Sequence, residues 1–364
     1  MAFGLVGLVG GCKGDPDATP QPKPLPGHPI AAVRAPRPRL SQRVLPQLPT
    51  LPLADDPRRA NKIALGHALF FDKRLSANSD RACSSCHEAP RGAKETAGGP
   101  DPIAIGSGDK PLSRHAPALW NIAYGQGAFY WDGRATTLEA TTKAEWRGPA
   151  MGIGDRLDAK AAALAAIPGY RKLFAAAFPG APITAEQVTQ ALAEYERTLL
   201  CTTTPYDRFA AGDKAALTDQ QQRGLDLFLD KGQCLSCHAP PYFSTAMGLD
   251  PASNTVGYQN VGIGTDRADD KVDLGRMAVT GAAIDWAAFK PPSLRNVTKT
   301  APYFHDGSGA TLDAVVRTMT TGGIANKNLN PAMTDRGFTD AERADLIAFL
   351  GGLECPDAVV ATLP

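Results

Sequence analysis

The string Cys-x-x-Cys-His occurs twice in this chain, in RACSSCHEAP at residues 81–90 and in KGQCLSCHAP at residues 231–240, with the two histidines 151 positions apart. Few chemistries use two thiols at i and i+3 with an imidazole directly after them. Zinc is one candidate for any Cys-x-x-Cys, but each unit would need further ligands nearby, and Cys201 and Cys355 offer one apiece. Covalent haem attachment uses the whole string: the thiols form thioethers to the two vinyl groups and the histidine turns onto the iron. Two c-type haems are therefore expected, one on Cys83, Cys86 and His87 and one on Cys234, Cys237 and His238.

The likeness between the two regions extends past the cysteines. Residues 66–73 and 224–231 share G-x-x-L-F-x-D-K, and each leads into its own pentapeptide. Downstream, P-x-L-x-N recurs at 117–121 and 292–296, Asp-Gly at 132–133 and 306–307, and Thr-Leu-acid-Ala at 137–140 and 311–314, in the same order. A period this long is not that of a solenoid, so the reading is two homologous cytochrome c-like haem domains, 55–212 and 213–364, from an internal duplication. Capping boxes at Thr184, Thr218 and Thr339 start helices. After the last box, Leu346, Ile347, Phe349 and Leu350 recur at helical spacing before Gly351 and Gly352. No stretch alternates with period two, so the expected class is all-α, with Gly/Pro-rich pieces such as residues 97–111 serving as loops.

Net charge is +1 from 38 basic and 37 acidic residues, which leaves no basic surplus for a nucleic-acid backbone. The apolar opening MAFGLVGLVGGC is shorter than the roughly 20 residues a spanning helix needs. It reads as an export leader, 1–12, whose Leu-Val-Gly-Gly-Cys end resembles a lipoprotein cleavage site with Cys12 as the lipid-modified residue, although a basic start is missing. Residues 13–54, rich in proline, read as a semi-rigid tether, with His28 in it. The expected location is the periplasm or cell envelope, where thioether attachment takes place and where Cys201 and Cys355 have the option of a disulfide.

The sixth ligand of each iron then decides between electron transfer and peroxide binding. Met319, in the helix beginning at Thr311, is the candidate for the second haem, with Met277 and Met333 as alternatives. His67 reads as packing beside Phe70.

These strings resemble the bacterial di-haem cytochrome c peroxidases and their relative that matures methylamine dehydrogenase. The resemblance runs from about residue 60 to 352 through LGHALFFDKRLS, CSSCH, RHAPALWN, YWDGRATTLE, CLSCH and PPSLRNVTKTAPYFHDG. It implies hydrogen peroxide reduced at the first haem, electrons from a small cytochrome or cupredoxin entering at the second, and Trp131 relaying between them. Family members carry a Met fourteen residues after the His of PYFHDG, and His305 plus fourteen is Met319; the maturase branch has Tyr there. The chain departs from the family in the first pocket. Ser107 stands near the place of a capping His, Thr141 at that of a Gln and Ala150 at that of a Glu. His115 replaces an Asn that binds an interdomain calcium, whose other ligands match the carbonyls of Thr300 and Pro302. His115 is also the nearest alternative cap. The enzyme alternative is oxidation of side chains on a partner protein, and the non-enzyme alternative is a di-haem electron carrier or sensor.

The duplication offers a replacement for the missing acid. The offset of 174 that maps Asp306 to Asp132 and Thr311 to Thr137 maps Met319 to Glu145. Glu145 is thus the expected acid-base group facing the first haem.

Overall fold

Ten α-helices carry the chain in the computed structural model, which describes residues 45–51, 53, 55–87, 102–125, 127–248, 257–268 and 271–355. These belong to one compact unit. The leader with Cys12, most of the tether including His28, and most of the expected loop before residue 102 lie outside the described residues. The helices are α1 (Arg59–Phe70), α2 (Leu138–Arg147), α3 (Leu157–Ala165), α4 (Pro168–Ala177), α5 (Ala185–Glu196), α6 (Pro205–Ala210), α7 (Asp219–Leu229), α8 (Met277–Thr280), α9 (Leu312–Thr320) and α10 (Asp340–Gly351). Among the described residues no helix is long and apolar enough to cross a membrane.

The three expected capping boxes start α5, α7 and α10, and Thr204 with Asp207 forms a fourth at α6. Thr137 and Thr311 cap α2 and α9 by accepting from Ala140 N and Ala314 N. Each side-chain oxygen satisfies an N–H that the helix itself leaves unbonded.

Two details differ from the sequence expectation. A two-stranded antiparallel hairpin, β1 (Ile105–Gly106) with β2 (Lys110–Pro111), lies inside the stretch read as loop. Strands of two residues are too short to register as alternation; the turn is held instead by Asp80, which accepts from Ser107 Oγ at 2.8 Å and Gly108 N at 2.7 Å. At the end of α10, Gly351 is still helical and Gly352 has φ −69°, so no left-handed glycine stops the helix. Gly352 is needed for close approach, since a Cβ there would meet Leu217 Cδ2 at 2.9 Å.

Two helix pairs form the frame. α1 packs across α5 and α7 across α10, each through one glycine. A Cβ on Gly66 would lie 1.9 Å from Ala191 O, and one on Gly224 would lie 2.0 Å from Asp345 O. Around the first pair, Leu65, Leu69, Phe70, Trp146, Phe174 and Leu192 form the core. Around the second, the rings of Phe228, Phe243, Phe349 and Tyr206 meet at centroid distances of 4.8 to 6.4 Å. Each fully buried Phe contributes about 1.5–3 kcal/mol by leaving water.

The segments following α5 and α10 are tied to each other and to matching asparagines. Cys201 and Cys355 are disulfide-bonded with Cα atoms 5.7 Å apart. Asn121 and Asn296, both left-handed at φ 58° and 59°, accept from Cys201 N and Cys355 N, each at 2.7 Å. Beside the disulfide, fully buried Arg295 bonds Asp207 with both fork nitrogens at 2.7 and 2.8 Å and also donates to Pro241 O and Cys201 O.

Candidate active site

Both pentapeptides are tight 3-10 turns that bring two sulfurs and one imidazole to the same wall. Cys83–Ser85 and Cys234–Ser236 form the turns, and His87 N and His238 N donate to Cys83 O and Cys234 O at 3.0 and 2.8 Å. His87 Nδ1 lies 3.1 Å from Pro117 O, and His238 Nδ1 lies 3.0 Å from Pro292 O and 3.2 Å from Phe243 O. A carbonyl only accepts, so each Nδ1 carries the proton and each Nε2 keeps a lone pair for a metal. Burial pulls the His87 pKa down to about 4 and lowers that of His238, which keeps both rings neutral. None of the four thiols is in a disulfide, and burial pushes Cys234 up to about 12.

Each turn opens onto its own cavity. The first, about 340 Å³, includes Cys83, Cys86 and His87 on its wall; the second, about 240 Å³, includes Cys234, Cys237 and His238. Two thiols, an oriented neutral imidazole and an enclosed space beside them fit a c-type haem in each case.

The cavities differ in what faces the histidine wall. Glu145 lines the first with Tyr130, Thr141 and Thr142, whereas Met319 lines the second with Val315, Val316 and Phe304. Burial raises the Glu145 pKa, against the lowering effects of a hydrogen bond with Tyr130 and the charge of Arg134. Tyr130 Oη donates to Thr141 O at 3.1 Å, and the Arg134 guanidinium sits 3.5 Å over the Tyr130 ring. Met333 also lines the second cavity, while Met277 packs against the cluster of Val272, Trp286 and Ala287.

Trp131 lines both cavities. Its Nε1 donates to His115 O at 2.9 Å, which fixes the ring, and its backbone carbonyl accepts from Lys290 N at 2.8 Å, which fixes the loop. Asp132 next to it accepts from Arg114 at 2.6 Å and from Arg134 at 2.9 Å, and Arg114 also grips Asp273 with two bonds. His115 N donates to His305 O at 2.7 Å, which joins the Trp131 loop to the PYFHDG segment.

The remaining named residues fall as follows. His115 and Ala150 line the first cavity. Ser107 turns its hydroxyl onto Asp80. Thr300 ends the Val297–Lys299 turn with its hydroxyl donating to Val297 O, and Pro302 follows a cis peptide bond. His67 packs edge-on or tilted against Phe71 and Tyr195 with ring centroids at 5.0 and 5.2 Å, and Phe70 meets the same two rings. Sequence reading missed Tyr130, Arg134 and Glu196 at the first cavity. Tyr130 was visible inside YWDGR; Glu196 lies far along the chain, and only comparing the segment before Cys201 with that before Cys355 would have raised it.

Residues 60–215 match the family model described as di-haem cytochrome c peroxidase. The methylamine utilization protein MauG of Methylorubrum extorquens is 36% identical over 310 residues, covering 85% of this chain and 82% of its own. The cytochrome c551 peroxidase of Nitrosomonas europaea is 33% identical over 314 residues, covering 85% of each. Among solved structures, that of a MauG-like protein associated with microbial copper homeostasis superposes with a TM-score of 0.74 at 30% identity, over 87% of this chain and 95% of that one.

Proposed function

Because the chain belongs to the di-haem cytochrome c peroxidase family, we propose that it is an exported peroxidase. It reduces hydrogen peroxide to water in the first cavity with electrons that a small redox protein delivers to the second. Cys83 and Cys86 hold one haem and Cys234 and Cys237 the other, as thioethers, with His87 and His238 as proximal ligands. The haems supply the redox chemistry when bound, and the protein supplies orientation, ligation and protons.

The observation that carries this reading is the contrast between Glu145 and Met319. Met319 on the wall of the second cavity is a thioether that would ligate the iron of that haem and suit it to electron transfer. At the matched place the first cavity has a carboxyl whose proton affinity burial raises, a group suited to taking up and giving back a proton. Glu145 takes a proton from the bound peroxide and returns it to the departing oxygen, and Tyr130 and Arg134 set its orientation and proton affinity. Trp131, on both walls, is the electron relay. His115 turns toward the first cavity and offers no oxygen to the Thr300 and Pro302 carbonyls, so the reading includes no calcium step.

We also read the halves, 55–212 and 213–364, as copies of one haem domain. The paired glycines, asparagines, disulfide cysteines and His–Pro bonds support that descent. Export, and lipid attachment at Cys12, stay proposals resting on the leader.

The test is Glu145→Gln, assayed for peroxide turnover with a reduced cytochrome donor. A fall of about 10²–10⁴-fold is expected; unchanged turnover refutes the role of Glu145. The similarity to MauG favours a second reading, oxidation of side chains on a partner protein, and poor turnover of the cytochrome donor by the wild-type protein would select it.

A further inference from the structure

Matched positions line the two cavities, and the mismatches between them are chemical. The glycine contacts set one register: Gly66 faces Ala191 O and Tyr195 Cβ, and Gly224 faces Asp345 O and Phe349 Cβ. By that register Leu192 and Glu196 on α5 stand where Leu346 and Leu350 stand on α10, and all four line a cavity. The caps Thr137 and Thr311 set the other, placing Thr141, Thr142 and Glu145 of α2 where α9 has Val315, Val316 and Met319. The first cavity is thus the second with its helix faces made polar. Glu145 and the Thr141 position already have a place in the reading above; Glu196 does not.

Leucine satisfies the packing at this position in the second half, and a buried unpaired carboxylate is strongly disfavoured. Glu196 is nevertheless a carboxyl, with 8% of its surface exposed. The groups facing it are Glu139, Thr142 and Glu145 of α2, Arg197 after its own helix, and the Cys83 thiol. Thr142 Oγ1 donates to Leu138 O at 2.9 Å, and its hydrogen bond with Glu196 works against burial by favouring the carboxylate. On the outer side, Arg197 bonds Glu139 at 2.6 Å, with 23% and 31% of those side chains exposed. Glu196 thus shares the wall of the first cavity with Glu145, while the neighbouring Arg197–Glu139 pair is open to solvent.

We propose that Glu196 is the proton relay that reloads Glu145 from solvent, an inference that rests on the reading of Glu145 as the acid-base group. Each peroxide reduced takes two electrons from the donor protein and two protons; the O–O bond breaks and two waters leave. Beyond the proton that Glu145 moves within the peroxide, it delivers the two consumed protons to the cavity one after the other; each time Glu196 passes its own proton to Glu145, and solvent at the Glu139–Arg197 pair refills Glu196. Burial pushes the Glu196 pKa up to about 8, with Glu139 and Glu145 adding to the rise and Arg197 opposing it. Its proton is therefore held below that pH and lost as pH rises through it.

The test uses the haem-loaded full chain with Glu196→Gln and with Glu196→Leu, which copies Leu350 and so preserves the packing. Infrared difference spectra of the resting protein between about pH 6 and about pH 10 should show a protonated-carboxyl band in the wild type that both variants lack. Proton uptake after a pulse of peroxide, followed with a pH indicator, should slow by about 10²-fold in both. Persistence in either folded variant of that same band, as distinct from one that Glu145→Gln removes, or uptake at the wild-type rate, overturns the relay. Unchanged turnover in Glu145→Gln overturns the parent reading instead, and leaves the Glu196 band in place.

Discussion

Replacing Gly224 by alanine should destabilise the protein, against the usual sign of that change in a helix. At an exposed interior position of a helix, alanine is better than glycine by about 1 kcal/mol. Here the new Cβ would stand 2.0 Å from Asp345 O, 2.7 Å from the carbonyl carbon and 2.7 Å from Phe349 Cβ, where ordinary contact begins at 3.4 Å. Backbone atoms of α10 cannot rotate out of the way, so α7 must retreat by over an ångström. That retreat loosens Phe228 against Phe349 and Phe243, whose ring centroids lie 5.3 and 5.8 Å away. A gap of ~0.5–1 Å forfeits a quarter to a half of each contact's attraction. Overpacking of this kind typically costs ~1–3 kcal/mol, and after the propensity gain a net loss of about 1 kcal/mol is expected. Urea unfolding of the haem-loaded protein, followed by circular dichroism, measures it. Gly66→Ala, with a Cβ 1.9 Å from Ala191 O, should behave alike. Gly169→Ala is the control, because its Cβ would meet nothing within 4 Å. If Gly224→Ala proves neutral or stabilising, the close crossing of α7 and α10 is refuted.

Arg295→Met should lower stability by about 3–5 kcal/mol in the same assay, since it leaves the Asp207 carboxylate and Pro241 O without their buried donor. Arg295→Lys should recover little of this, because an ammonium cannot reproduce the two-pronged bond. Met319→Leu should convert the second haem from a low-spin to a high-spin absorption spectrum while Met333→Leu leaves it unchanged; the reverse result would move the ligand to Met333.

Much of the candidate site was legible because the proposed haem attachment is a local covalent demand. It needs Cys83, Cys86 and His87 within one short string, so the candidates show in five letters, and the same holds for the second string. Helix starts were legible for a similar reason: a cap and its partner lie three residues apart. The position of Glu145 could be read only by counting from Met319; in the structure Glu145 lines the first cavity and Met319 the second. What stayed hidden depends on residues distant in the chain. Glu196 reaches the first cavity because α5 crosses α1 at Gly66, and nothing near residue 196 announces a cavity. Met277 and Met333 could not be separated by spacing, and the fold divides them by packing one against Trp286 and turning the other to the second cavity.

The chain's own order of residues determined a helical class, two Cys-x-x-Cys-His strings with the spacing that the proposed haem attachment needs, and matched segments around them that differ at Glu145 and Met319. Those properties follow from covalent spacing, helix periodicity and capping, which act over a few residues. Tertiary structure decided that Trp131 stands on both cavity walls, that Cys201 and Cys355 come within bonding distance, and that a second carboxyl joins Glu145. These are consequences of helices crossing and loops clamping, as with Arg114 held between Asp132 and Asp273. Burial, which raises the proton affinity of Glu145 and Glu196, belongs to the assembled wall and to no single segment of the sequence.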